Sequence, residues 1–356
     1  MPSPVFAPAL KPGATIAFVS LSMRLNDVFP DAIARASGLF ASRGFKVRVF
    51  FSKDDGIQSS IDNRLTELRE AFLDPNISAI ICTIGGSSFT ELLPALVQDK
   101  GLHDGIRSHP KIVVGLSDMT GLHWFLHAYT GLRTFYGPSA IPELGTADNI
   151  ENDDSPLAFC VKALLAIVGT PKAIGDIPRS VSYAPKAPDF FQDPASTKLQ
   201  ELSPSPPWIW LRPGKARGQL YGGCLSVMVR LNGVRSIVPE WKGSIVFLES
   251  SMNDIGDVDQ VRNSIADLIA HGVFEEAAGL VVGRPVGYDS EESRMEYLDV
   301  IKSLLCEGRQ AETNNFPILC NVDIGHTTPM VTLPFGGLVE LDSEASRFTV
   351  LEAAVI

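Results

Sequence analysis

Residues 112–130 read IVVGLSDMTGLHWFLHAYT, and the change of pattern inside this stretch decides the fold. Ile112 to Leu116 is an unbroken apolar run of strand length, and Asp118 to Thr130 continues with the spacing of a helix. A strand that passes straight into a helix is one step of a parallel sheet. The same alternation precedes it: Thr15 to Leu21 is strand-like, Asp31 to Arg43 places Ile33, Ala36, Leu39 and Phe40 on one helical face, and Phe45 to Phe51 is a second strand. Gly44 stands between helix and strand, where a C′ glycine is expected. Ile61 to Leu73 then reads as a helix, Ala79 to Ile84 as a strand and Glu91 to Val97 as a short helix. This order predicts an α/β fold with an N-terminal doubly wound, mainly parallel sheet covered on both faces. Ligand sites in such sheets lie beyond the carboxyl ends of the strands.

Downstream the character changes. Thr170 to Gly218 holds nine prolines without sustained periodicity, yet carries Tyr183, Phe190, Phe191, Trp208 and Trp210. A long irregular segment with that aromatic content reads as a cover or linker rather than as disorder. Regular patterns then resume with a Gly-Gly turn at Gly222, helices at Leu225 to Leu231, Val258 to His271 and Glu292 to Leu305, and strands at Ser244 to Leu248 and Ala278 to Val282. Further strands are expected near Pro317 to Val322 and Gly337 to Leu341. The expected organisation is a first domain over 1–168, a Pro-rich cover over 169–217 and a smaller C-terminal α/β domain over 218–356, with the active site at their interface.

Composition narrows the functional classes. With 45% apolar and 20% charged residues, the chain falls among ordinary globular proteins. A net charge of −11 argues against a nucleic-acid polymer or an anionic membrane as partner, since no basic field would attract phosphates. No basic segment followed by an apolar core opens the chain, and no run of about 18 apolar residues occurs later, so a cytoplasmic address is expected. Cys82, Cys160, Cys224, Cys306 and Cys320 are odd in number and widely spaced, and read as free, buried thiols.

Four places could carry chemistry. Ser117 sits at the strand-to-helix junction, where a helix N-terminus would face its hydroxyl and the next backbone N–H, that of Asp118, would suit an oxyanion. Met119 interrupts the G-x-S-x-G pattern, and a serine N-cap is the competing reading. Gly85-Gly86 follows a strand, so the Gly86 N–H could supply a second oxyanion donor or simply turn the chain. His326 lies in Asp323-Ile324-Gly325-His326 directly after an apolar strand, a better setting for proton transfer than His123 and His127. Those two are four apart, but Trp124 stands where a zinc helix needs glutamate, so they read as packing or surface residues and no metal site is expected. Glu249 ends a strand and needs a donor if buried, either an imidazole or the chain reversal that follows.

Taken in order, these segments resemble the LD-carboxypeptidase family of serine peptidases, peptidase family S66, closest to its branch like the microcin C immunity peptidase. The likeness runs through Leu10-Lys11-Pro12-Gly13, Ser59-Ser60-Ile61-Asp62-Asn63-Arg64, Ile84-Gly85-Gly86, Gly115-Leu116-Ser117-Asp118, Phe135-Tyr136-Gly137-Pro138, Gly222-Gly223-Cys224-Leu225, Phe247-Leu248-Glu249 and Asp323-Ile324-Gly325-His326. The resemblance implies a catalytic Ser117, His326 and Glu249, with the Gly86 and Asp118 N–H groups as oxyanion hole and no metal or organic cofactor. It also implies a homodimer that cleaves an amide next to an anionic group in a small peptide or peptide-like substrate. Phe89, Thr328 and Ser182-Tyr183-Ala184-Pro185 depart from the family's usual residues and bear on the substrate. Phe190 and Phe191 are the expected substrate wall, and Arg284, with Lys215 or Arg217 as alternatives, the expected cation for its anion. Hydrolysis of a peptidyl or aminoacyl nucleotide, or ligand binding without turnover, are the other readings.

Overall fold

The computed structural model describes residues 2–309 and 315–356 and contains two large sheets. The first half of the chain forms β1 (Thr15–Val19), α1 (Pro30–Ala41), β2 (Lys46–Phe50), α2 (Ile57–Leu73), β3 (Ile77–Cys82), α3 (Leu93–Gln98) and α4 (Lys100–Ser108). It continues with β4 (Ile112–Gly115), α5 (Thr120–Thr130), β5 (Thr134–Tyr136) and α6 (Pro156–Gly169). Strands β1 to β5 are parallel in the spatial order β5-β4-β3-β1-β2. The order reverses between β1 and β3, so a crevice opens at their carboxyl ends. Helix α1 starts on Pro30 and buries the expected Ile33, Ala36, Leu39 and Phe40. Helix α6 escaped the sequence reading because it is apolar on most sides; Ser155 caps it, accepting from the Ala158 N–H at 3.0 Å.

The second half forms β6 (Gly175–Asp176), β7 (Ser182–Tyr183), β8 (Ser203–Pro204), β9 (Ile209–Arg212), β10 (Lys215–Cys224), α7 (Leu225–Leu231), β11 (Ile245–Glu249) and α8 (Val258–Ala270). Next come β12 (Gly279–Gly283), α9 (Glu291–Leu305), β13 (Ile318–Val322), β14 (Leu333–Phe335), β15 (Leu338–Asp342) and β16 (Arg347–Val350). Its sheet runs β6-β16-β15-β10-β11-β12-β13-β9, with β10 to β13 parallel. The Pro-rich segment therefore contributes β6 and β9, two short strands without proline, to the two edges of this sheet. Gly222 and Gly223 do not form the expected turn. They lie inside β10, where a Cβ would run into the Phe247 carbonyl or the Thr120 side chain, so the pair serves close approach rather than reversal.

Several contacts fix the two sheets to each other. Strand β14, from the C-terminal half, pairs antiparallel with β5 and completes the first sheet. One buried cluster runs from Val19, Ile80 and Trp124 to Phe247, Val281 and Leu319 without a break. Trp124 of α5, fully buried, donates from Nε1 to the Gly222 carbonyl of β10 at 3.0 Å and packs edge-on to Trp241. Among the described residues no helix is long and apolar enough to cross a membrane. The cysteines are free; four of them are buried, and burial pushes the Cys82 and Cys160 thiols up to about 12.

Trp124→Phe should cost about 2–4 kcal/mol, from the cavity and from a buried carbonyl left without its donor. Urea unfolding followed by circular dichroism measures this. A loss under about 0.5 kcal/mol would mean that the indole does not tie α5 to β10.

Candidate active site

Ser117 follows β4 in the left-handed region, with φ of 64°, a backbone state costly for a residue with a side chain. Three contacts hold it there. Its N–H donates to the Tyr136 hydroxyl at 2.9 Å, its carbonyl accepts from Thr120 Oγ1 at 2.7 Å, and Gly85 packs against its side chain. A Cβ on Gly85 would lie 2.6 Å from Ser117 Cβ and 2.9 Å from its Oγ. The Ser117 hydroxyl caps no helix; a short 3₁₀ turn over Ser117–Met119 precedes α5 instead.

Glu249 and His326 arrive from the other sheet. Glu249 is the last residue of β11, and His326 stands on the loop after β13. His326 Nε2 is 3.1 Å from Ser117 Oγ, and Nδ1 is 2.7 Å from Glu249 Oε2. With Nδ1 carrying the proton toward the carboxylate, Nε2 is the acceptor facing the serine. The His326 backbone N–H also donates to Glu249 Oε2, at 3.2 Å. Gly325, with φ of 81°, permits this, because a Cβ there would collide with the Glu249 carboxylate.

Glu249 is only 1% exposed. Burial pushes its carboxyl up, but His326 and a 2.5 Å hydrogen bond from the Tyr136 hydroxyl to Oε1 more than reverse this and hold it below the usual range. Burial likewise pushes His326 down, and Glu249, with Glu143 and Asp254 beyond it, outweighs that and raises the imidazole above its usual value. Glu143, accepting from the Ser139 N–H at 2.9 Å, is pushed up to about 7 by burial. Asp254 accepts from the Ser251 N–H at 2.8 Å and is also raised by burial. One atom each of Cys224, Glu249 and His326 lie within 4.8 Å of one another, but both Glu249 oxygens already accept hydrogen bonds.

The side chain of Asp118 does work that the sequence did not reveal. It is fully buried and accepts from Ser22 Oγ at 2.6 Å, from the Phe89 N–H at 2.8 Å and from Arg230. Arg230 of α7 also donates to the Ser87 carbonyl at 3.1 Å, so the loop after β3 is held beside Ser117 from both domains. Gly86, with φ of 142°, lies in that loop, where a Cβ would meet Ser22 and Met23. Tyr136, Glu143 and Asp254 were missed too; only Tyr136 had a signal, its place in the Phe135-Tyr136-Gly137-Pro138 run.

The expected substrate-binding residues are engaged elsewhere. Phe190 is buried in the first domain's core against Phe29 and beneath Arg35, and the partly exposed Phe191 meets the same Phe29 edge-on. The aromatic pair thus packs beside α1. Arg284 is 4% exposed, paired with Asp323 at 2.7 Å, bonded to Thr327 Oγ1 at 2.7 Å and stacked over Tyr183. This guanidinium is already neutralised inside the fold and braces the His326 loop. Lys215 pairs with Asp342 and Glu344 at the surface, and exposed Arg217 faces Glu340 across β10 and β15. His123 is a packing residue bonded to Thr134 and Gly115, and burial lowers its pKa to about 4.

A profile described as the LD-carboxypeptidase N-terminal domain matches residues 16–137, and one for the C-terminal domain matches 217–341. The chain belongs to the LD-carboxypeptidase family. A Vibrio cholerae protein named as a carboxypeptidase is 30% identical over 353 residues, covering 96% of this chain and 97% of that one. The Escherichia coli microcin C7 self-immunity protein is 27% identical over 98% of this chain and 96% of its own. Among solved structures, a protein from Bacillus anthracis described as like that immunity protein superposes with a TM-score of 0.82 at 26% identity, covering 97% and 99% of the two chains. A variant of the immunity protein in complex with adenosine monophosphate superposes at 0.83 with 25% identity, over 99% of this chain and all of that one. The two-sheet α/β architecture is thus that of the family.

The His326 imidazole should titrate above its usual pKa of about 6.5 in a pH series of nitrogen-15 NMR spectra. Glu249→Gln should lower it by about a unit or more, because the largest opposing charge to burial is gone. An unchanged titration in the variant would show that the carboxylate does not govern the imidazole.

Proposed function

We propose that the protein is a serine-type carboxypeptidase or amidase that hydrolyses an amide next to an anionic group through Ser117, His326 and Glu249. The observation that carries this reading is the alignment of His326, with Nε2 at 3.1 Å from the serine hydroxyl and Nδ1 at 2.7 Å from a buried carboxylate. Ser117 Oγ attacks the carbonyl carbon as Nε2 takes its proton, and Glu249 steadies the imidazolium that forms. The Ser117 N–H is occupied by Tyr136, which leaves the Gly86 and Asp118 N–H groups as the donors proposed for the oxyanion. His326 then returns the proton to the departing amine, and water releases the acyl group by the same steps in reverse. No cofactor enters this scheme. The proposed enzyme acts as a cytoplasmic homodimer, for which light scattering is the direct test of assembly.

The immunity protein and its complex with adenosine monophosphate favour a second substrate class, a peptidyl or aminoacyl nucleotide. Tyr183, next to the Ala184–Thr328 bridge that ties the cover to the His326 loop, is 5% exposed and lies under Arg284. Tyr183 thus offers no open ring face to a base. Peptide substrates with a free carboxylate are therefore the first to test.

A fluorophosphonate should label the wild-type protein and not Ser117→Ala, and that substitution should remove turnover by a factor of about 10³ or more. Ser117→Ala with near-normal turnover would end the assignment. Converting the substrate's terminal carboxylate to an amide should lower kcat/KM about tenfold or more, since a desolvated charge pair is lost. Equal rates would leave an amidase without carboxypeptidase character. Activity should fall as pH drops through the raised pKa of His326, because the protonated imidazole cannot act as base.

A further inference from the structure

The phenol of Tyr136 closes a ring of hydrogen bonds. Ser117 Oγ meets His326 Nε2, His326 Nδ1 meets Glu249 Oε2, Tyr136 donates to Glu249 Oε1 at 2.5 Å, and the Ser117 N–H donates to Tyr136 at 2.9 Å. Two members come from the end of one sheet and two from the end of the other. We propose that Tyr136 is a positioning residue, whose hydroxyl fixes the backbone of Ser117 against the Glu249 carboxylate. This rests on the reading of Ser117, His326 and Glu249 as a catalytic unit.

The placement of Tyr136 leaves its hydroxyl little freedom. It ends β5 opposite Gly115 of β4 and Leu333 of β14, and its ring is wholly buried edge-on to Phe247 and beside His123. Burial, and then the charge of Glu249, keep the phenol protonated well above its usual range, so it is a donor to the carboxylate at any working pH. The other ionisable groups that act on it or on the imidazole are Cys224, Glu143 and Asp254. Cys224 is a neutral thiol, raised far up by burial, and does not compete for the carboxylate. Two consequences follow for the ring. The Ser117 peptide is held in its left-handed state by a side chain outside the nucleophile's own turn, and Glu249 turns a fixed edge to the imidazole.

Removing only the hydroxyl, in Tyr136→Phe, should lower kcat/KM about 10- to 100-fold with KM changed less than about threefold, the pattern of misplaced reacting groups. The unshared carboxylate becomes more basic, so the imidazole should titrate at higher pH in NMR, and the acid limb of kcat/KM should move up with it. Placing 3,5-difluorotyrosine at 136 strengthens the donor and should move both downward. A purely structural tyrosine would change melting temperature alone. Turnover within twofold of wild type, with the imidazole titration unmoved in both variants, overturns the proposal. The NMR titration needs no turnover, so it decides the role of Tyr136 even if fluorophosphonate labelling removes Ser117 as nucleophile.

Discussion

A carboxylate taken out of water keeps its charge only if donors meet it, and Glu249 is met from three directions. That requirement shapes its surroundings. The loop before His326 must carry a glycine at 325, because the carboxylate occupies the space of a side chain there. Strand β5 must end on a residue that can donate from inside the core, and a tyrosine meets this where phenylalanine would leave Oε1 bare. The ionised carboxylate in turn sets the tautomer of His326 and aims Nε2 at the serine. An error at Glu249 would propagate through each of these.

Such a site, split between two sheets, works only if the sheets do not move apart. The contacts across the boundary are of different kinds: a strand, β14, lent by the second half to the first sheet; an indole hydrogen bond from Trp124; and an ion pair between Asp118 and Arg230. Asp118 is the residue after Ser117, so its contacts fix the neighbour of that serine and the Gly86 loop at once. Only Asp118 is buried, so removing the more exposed Arg230 would leave a carboxylate inside the fold short of one donor. Arg230 is therefore best regarded as part of the site's frame, although it lies on a helix of the other domain.

The legibility of each feature in the sequence followed the range of the interaction behind it. Most parallel strands of both sheets and most of their helices were readable, because period and apolar runs are local, whereas the short β5 and the glycine-rich β10 were not read as strands. Ser117, Glu249 and His326 each carried a local sign, a residue of reactive type at the end of a strand, and only the family likeness joined them. Tyr136 stood in a run that carried the family likeness, but its contacts were hidden, since its hydroxyl acts through register across three strands and a partner 113 residues away. Gly222 and Gly223 misled because a glycine pair signals a turn as readily as close packing, and the carbonyl of Phe247 that decides between them comes from another strand. Phe190 and Arg284 were read as ligand contacts because aromatic and cationic residues near a presumed cleft can serve a ligand or the fold, and the partners they have within the fold, Phe29 and Asp323, lie far off in sequence.

The electrostatics of the imidazole complete the picture. Three carboxyl groups bear on His326, yet they are not equivalent. Glu249 is held ionised by its donors, while burial keeps Glu143 near 7 and Asp254 raised, so part of the negative charge around the histidine can be neutralised by protons. A raised imidazole pKa makes a stronger base, though less of it is free at neutral pH. Glu143 and Asp254 add to that rise, and Glu143 adds less once protonated, because it then no longer stabilises the imidazolium. An anionic substrate entering this pocket would add negative charge beside the same ring, and a protonated Glu143 would reduce the repulsion it meets. The overall charge of −11 matters less than this local arrangement, since its field is screened within about 8 Å at physiological salt.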